Sequence, residues 1–186
     1  MLLTESFIRK AATEAKYQGV AVNENLTRFA SSKRYDLFIS HSFNDRELVT
    51  GLYHLFNKAG YNVYIDWIID KQLNRNYVTL ETASLIKSRI QASLGTAYVS
   101  TSSSTSSKWC PWELGVSDGM KGKVCILPVM NTGFKGQEYL GLYPYLEYAK
   151  IHGEDKYDFW VYDQVDTKKY IILKNWLQGY KPYHHG

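Results

Sequence analysis

The sequence predicts an α/β fold, an open parallel sheet with helices on both faces, and three observations carry that reading. Short apolar runs bounded by polar turns alternate with segments whose apolar residues recur at helical spacing. The first strand–helix–strand passage, Tyr35 to Asp66, has so few linking residues that it requires a parallel, right-handed crossover. A chain of 186 residues with 45% hydrophobic and 22% charged residues suits one compact domain with modest extensions.

The elements follow in order. Leu3, Phe7, Ile8, Ala11 and Ala15 predict an amphipathic helix from Leu2 to about Tyr17, packed on the domain edge or used in self-association. Gly19 and Asn23-Glu24-Asn25 end it, and Ser31-Ser32-Lys33-Arg34 reads as a linker, so residues 1–34 form a helix and linker. The core domain, 35–150, begins with the strand Tyr35 to Ser40 and the polar turn His41-Ser42-Phe43-Asn44. Leu48, Leu52, Leu55, Phe56 and Ala59 mark a helix that Asn44 or Asp45 can cap and Gly60 can end. Tyr61 to Asp66 is the second strand, and Trp67 to Tyr77, lacking a clear period, is a long loop. Leu80, Ala83, Ile86, Lys87 and Ile90 suggest a helix, and Thr96 to Ser100 a third strand. After the low-complexity loop Thr101 to Lys108 comes a helix from about Trp109 to Met120, with Pro111 tolerated in its first turn. Val124 to Val129 is a fourth strand, whose end Pro128 marks. In the extension, 151–186, Phe159 to Tyr162 suggests an edge strand, and Tyr170, Leu173, Trp176 and Leu177 a last helix ended by Gly179.

Composition narrows the function. No apolar stretch approaches the ~18 residues of a membrane span, and the N-terminus lacks the apolar core of a secretion signal. Cys110 and Cys125 are too few for a disulfide scaffold and their spacing fits no zinc motif, so a reducing cytoplasm and no metal are expected. The net charge of +4 is mild and no basic run exists, which argues against nucleic acid. The aromatic content of 15%, with 16 tyrosines, is high, and serves a core, an interface or a stacking surface.

Ligands of open α/β sheets collect at the carboxyl ends of the strands. Ser40-His41-Ser42, Asp66-Trp67 and Ser100-Thr101-Ser102 stand there, with Phe43 and a helix start at Asn44 that offers N–H groups to an anion. A phosphate-bearing ligand suits these residues, and so does a plain turn. The sharpest signal is Ser107-Lys108-Trp109-Cys110-Pro111-Trp112-Glu113-Leu114-Gly115. Trp109 and Glu113 lie one helical turn apart on one face. The ring can stack on a base or sugar, and the carboxylate can bind ribose hydroxyls or stabilise a cation. Equally, Trp109 can cap the core while Glu113, in the first turn and near solvent, makes a surface ion pair.

Three of these segments resemble a known family in the right order. Asp36-Leu37-Phe38-Ile39-Ser40-His41-Ser42 resembles the first box of Toll/interleukin-1 receptor (TIR) domains. Gly60 to Asp66 is similar to the second strand leading into that family's BB loop, and Ser103 to Leu114 to its serine-rich stretch and Trp-Cys-x-x-Glu-Leu motif. The resemblance spans about Tyr35 to Val129 and points to the stand-alone bacterial branch, some of whose members act in Thoeris-type antiphage defence. It implies a flavodoxin-like fold and an NAD⁺ glycohydrolase or cyclase with Glu113 catalytic. It also implies substrate contacts at Ser42, Phe43, Asp66 and Trp109, and the neighbouring strand-end residues Ser40, His41 and Trp67 are expected to join them. The N-terminal helix and everything after about Asn131 depart from the family pattern, and the Ser42-Phe43 turn lacks the arginine that some enzymatic members carry.

A single carboxylate suffices for that reaction. Nicotinamide leaves NAD⁺ as a neutral molecule, so no general acid is needed, and Glu113 has only to stabilise an oxocarbenium-like sugar. The nucleophile that follows decides whether the product is ADP-ribose, a cyclic isomer or a conjugate. NAD⁺ is then the substrate and no cofactor is required. Self-association through TIR contacts, a phage-derived trigger and a separate effector are the expected partners. The BB loop carries Trp67, Ile68 and Ile69, apolar residues expected to pack on another copy or on the N-terminal helix. The rivals are a non-catalytic TIR adaptor and a nucleoside deoxyribosyltransferase-like enzyme.

Overall fold

Leu3 and Thr4, assigned by their spacing to the first helix, instead form a two-residue strand (β1, Leu3–Thr4) in parallel register with Val129 and Met130. The computed structural model describes residues 3–17, 34–70, 79–130 and 138–185. Thr4 accounts for the difference, because its hydroxyl accepts the Phe7 N–H at 3.2 Å and caps the helix from outside (α1, Glu5–Tyr17). Ile8, Ala11, Ala12 and Ala15 of α1 are buried. The helix beneath approaches so closely that a Cβ on Gly51 would stand 2.2 Å from the Ile8 carbonyl oxygen. The expected linker up to Lys33 and the loop from Lys71 to Tyr77 lie outside the described residues.

The strand Tyr35–Ser40 (β2) lies one in from the sheet edge, pairing in parallel with Val63–Tyr64 (β3) and Ser93–Ser100 (β4). A 3₁₀ turn, Phe43–Asp45, leads into α2 (Arg46–Lys58), with the Ser42 hydroxyl accepting the Asn44 N–H. Gly60 ends it with φ of 90°, a conformation costly for any side chain. The second strand is shorter than the sequence suggests: Asp66 opens a helical turn (α3, Asp66–Ile69) where a loop was expected. Ile68 is buried in the chain's own core, and Trp67 and Ile69 pack beside it. Of the two expected partners for this segment, the N-terminal helix shares its core: Ile8 and Ala11 belong to the same buried cluster as Ile68.

Thr79 caps α4 (Leu80–Ala92) by accepting the Thr82 N–H, and Thr82, Ile86 and Ile90 are buried. Leu80 and Lys87 point to solvent, so the buried stripe is rotated from the one the spacing suggested. Helix α5 (Cys110–Lys121) ends at Gly122 in the left-handed region, and Val124–Met130 (β5) pairs in parallel with β4. The strand runs through Pro128. Ile126 donates its N–H to Pro144, so the missing N–H of Pro128 falls on the same side. There the neighbour changes from the strand at Tyr145 to β1.

The remaining strands extend this sheet. Tyr145–Lys150 (β6) is parallel to β5, then Tyr157–Tyr162 (β7), Lys169–Ile172 (β8) and Tyr183–His184 (β9) form an antiparallel meander. The order among the described residues is β3-β2-β4-β5-β6-β7-β8-β9, with β1 also on β5. The strand at Phe159 to Tyr162 is therefore interior rather than an edge. The last helix (α6, Leu173–Leu177) starts only after Tyr170, which lies in β8. One face of the sheet buries Leu37, Ile39, Val99, Leu127, Phe159 and Val161 with α1, α2 and α6. On the other, α4 and α5 cover β2 to β5 through Phe38, Tyr64, Ile86 and Tyr98, Leu114, Ile126. Helices thus flank the parallel part on both sides, and the neighbouring strands β2 and β4 end in the polar Ser40 and Ser100 along one rim.

Candidate active site

A cleft of about 290 Å³ opens on that rim, lined by His41, Ser42, Phe43, Asn44, Ser106, Ser107, Lys108 and Trp109. One wall is the turn leaving β2; the other is the approach to α5. Ser107 builds the second wall: its hydroxyl accepts the N–H groups of Trp109 and Cys110 at 3.3 and 3.2 Å, satisfying donors that a helix start leaves open. Pro111 then occupies the first turn without cost to the helix.

Trp109 is 6% exposed, lines the cleft and packs with Tyr35, Phe38, Tyr64, Ile86 and Ile90, so it serves both the core and the wall. Glu113 stands one turn on, its N–H donating to the Trp109 carbonyl at 2.8 Å. The expectation of a solvent-near glutamate is corrected: Glu113 is 0% exposed. Ser40, also fully buried at the end of β2, donates its hydroxyl to Glu113 Oε2 at 2.7 Å. A hydroxyl held this close to a buried carboxyl oxygen makes one of the stronger hydrogen bonds open to that group. Ser40 lies behind the cleft, not in its lining.

His41 is buried with Nδ1 2.9 Å from the Ile39 carbonyl oxygen and Nε2 3.4 Å from Asp66 Oδ1. A carbonyl only accepts, so Nδ1 carries a proton, and the Asp66 contact is attractive when Nε2 carries one too. Asp66 also accepts the Trp67 N–H at 2.8 Å, so this carboxylate ties α3 to the β2 turn and does not line the cleft. Tyr64 and Arg89 secure the far end of α3: the Tyr64 hydroxyl and the Nε and Nη2 of Arg89 donate to Asp70. Those bonds hold the Arg89 pKa above its ordinary value, while burial pushes the Tyr64 phenol up.

Phe43 is half exposed at the cleft mouth, with the Arg46 guanidinium 3.9 Å from its ring centre and 5.5 Å from that of Trp67. Trp67 itself lies outside the lining. The Ser42-Phe43 turn has no arginine of its own, but Arg46, one helical turn along, brings a guanidinium to the same place. Asn44, the helix start expected to face an anion, does line the cleft, whereas Ser106, and Ser107 and Lys108 at the head of the sharpest motif, are cleft residues that the sequence did not single out as such. The serine run and its lysine were the available signal, since polar residues just before a helix start face the ligand edge of such a sheet. The structure thus gathers His41, Ser42, Phe43 and Trp109 around the cleft, with Ser40, Glu113 and Asp66 packed behind it. Among the described residues no group of acidic, histidine or cysteine side chains has the arrangement of a metal site. No described helix is long and apolar enough to cross a membrane.

The chain is 42% identical over 154 residues to a protein of Bacillus cereus (strain MSX-D12) named as a probable 3′ cyclic ADP-D-ribose synthase, ThsB′. That match covers 81% of this chain and 79% of the relative. It is 36% identical over 88 residues to TIR2 of Cytobacillus dafuensis, provisionally named a cyclic ADP-D-ribose synthase, covering 47% of this chain and 23% of that longer protein. The sequence matches no family profile.

Proposed function

The chain belongs to the Thoeris-type TIR proteins, and from that premise we propose that its cleft binds NAD⁺ with Glu113 as the catalytic carboxylate. The protein is an NAD⁺-processing enzyme that breaks the nicotinamide–ribose bond and makes an ADP-ribose-derived signal in antiphage defence. The observation supporting Glu113 is its place: a buried carboxylate, oriented by Ser40, one helical turn from the Trp109 that walls the cleft.

In this reading the nicotinamide leaves with its bonding electrons as a neutral ring, and the sugar left behind carries positive charge. Glu113, fixed before the reaction begins, stabilises that charge without reorganising. Trp109 and Phe43 hold the substrate's rings, and Lys108 and Arg46 supply positive charge for its diphosphate. A hydroxyl of the substrate's own adenosine ribose then attacks C1. The relative's name favours the 3′ position, with loss of that hydroxyl's proton, giving a cyclic ADP-ribose isomer. A phage-derived trigger, TIR–TIR self-association, a separate effector that reads the product and a cytoplasmic site of action complete the proposal.

The test is incubation of purified protein with NAD⁺, with and without phage lysate, followed by liquid chromatography and mass spectrometry. A triggered, Glu113-dependent product with the mass of ADP-ribose less one water is expected. Release of ADP-ribose alone would reduce the reaction to hydrolysis. Specific activity that stays flat across a dilution series would remove self-association.

A further inference from the structure

We infer that Ser40 is a positioning residue: its hydroxyl orients the Glu113 carboxylate and keeps it ionised at the pH of catalysis. The inference rests on the catalytic reading of Glu113. Sequence position alone suggested that Ser40, with its neighbours His41 and Ser42, touches the ligand. The structure places it differently. Ser40 is the last residue of β2, 0% exposed, and its Oγ lies 2.7 Å from Glu113 Oε2. The cleft lining begins one residue later, at His41.

A carboxylate taken out of water is more easily protonated, and a hydrogen bond donated to its charged form opposes that. The same bond restricts the side chain's torsions, so one carboxylate geometry is present before substrate arrives. Ser40 comes from 73 residues away in sequence, so the sheet itself aligns the glutamate. The other titratable and charged groups around the site include His41 with Asp66 beside the β2 turn, Arg46 over Phe43, Lys108 ahead of α5, and Cys110 and Tyr98 in the core under that helix. All of them remain when the Ser40 hydroxyl is removed, so a change in the pH profile reads that hydroxyl.

The experiment compares wild type with Ser40→Ala, Ser40→Thr and Glu113→Gln under triggering conditions, recording kcat, KM and their pH dependence, with thermal melts as fold controls. Ser40→Ala is expected to lose about ten- to hundredfold in kcat, as for a bond to a charged group, with KM within about twofold. Its acidic limb should move up by about one pH unit, because a carboxylate that has lost this donor takes up a proton more readily. Ser40→Thr, which keeps the hydroxyl, should recover most of the rate. An unchanged Ser40→Ala, a loss confined to KM, or a loss with an unmoved acidic limb overturns the inference. So does a Ser40→Thr that melts like wild type and stays as slow as Ser40→Ala. A Glu113→Gln enzyme as active as wild type removes the catalytic reading itself, which is a different failure.

Discussion

The parallel half of the sheet, β1 to β5, is covered by helices on both faces, whereas the antiparallel half, β6 to β9, is covered on one face and carries a row of half-buried to exposed rings on the other. In that row Tyr145 stacks on Tyr162 at 5.2 Å, Tyr162 on Tyr170 at 5.3 Å, and Tyr170 on His185 at 4.0 Å. The rings are turned toward one another, so their faces are spent within the sheet rather than offered to a base. The tyrosine surplus is therefore largely architecture here. The cleft belongs to the other half, because parallel crossovers bring strand ends and helix starts to one rim, while a meander brings only turns.

The comparison breaks first at Glu113. If the parallel half carries the chemistry, Glu113→Gln should lower kcat by roughly 10²–10³-fold, about 3–4 kcal/mol in the barrier, with the melting temperature nearly kept. Gln retains an oxygen to accept from Ser40, so the fold control is fair. Single-turnover product formation under triggering conditions is the measurement, and wild-type rates would move the active carboxylate elsewhere.

Trp109→Ala should follow, and it sharpens the comparison because that ring belongs to both core and cleft. Truncating a buried tryptophan costs about 3 kcal/mol or more in stability, read by denaturant unfolding. KM for NAD⁺ should rise in the fraction that stays folded. A variant with higher KM and unchanged stability would make Trp109 a wall alone, and the reverse would make it core alone.

These two residues also show what was legible in the sequence. The strands β2, β4 and β5 were readable because strands buried on both faces are continuous apolar runs, and Tyr35 to Ser40 carries that signature. The strand β6 was not read: Tyr145-Leu146-Glu147-Tyr148-Ala149-Lys150 buries only alternate residues and follows Pro144. Tyr170 was drawn into a helix because Tyr170, Leu173, Trp176 and Leu177 fit one face of a helix, whereas the chain changes from strand to helix at Leu173. Glu113 was legible as a residue of interest but not as a buried one. Its exposure is set by Ser40 and the β2 strand, a tertiary fact that local spacing does not contain. Arg46 over Phe43 was within reach, since the pair is three residues apart.

The antiparallel half should answer differently. Tyr162→Ala removes two stacked ring contacts and their buried area, which should cost about 2 kcal/mol in unfolding free energy. Catalysis by the folded protein should be unaffected, with kcat and KM within about twofold of wild type. A large loss of kcat at full folding would show that this half reaches the cleft after all.

The smallest effect is expected at Asp158, the half-buried carboxylate of β7, which accepts the Tyr61 hydroxyl at 2.8 Å and the Phe159 N–H at 2.6 Å. Burial holds its pKa above the ordinary aspartate value, outweighing those two bonds. A group with a raised folded pKa binds its proton more tightly in the native state. Its favourable contribution is fully present below the unfolded pKa and is lost as pH rises through the folded one. Asp158→Asn removes that titration and keeps an oxygen for the tyrosine. Stability should therefore change by less than about 1 kcal/mol near neutrality, given the group's partial exposure. The fall in stability just above pH 4, where an ordinary aspartate ionises, should become shallower than in wild type. Denaturant midpoints measured from about pH 3.5 to 7 test this. Parallel curves for the two proteins would mean that Asp158 titrates alike folded and unfolded, and that the Tyr61 bond compensates its burial in full.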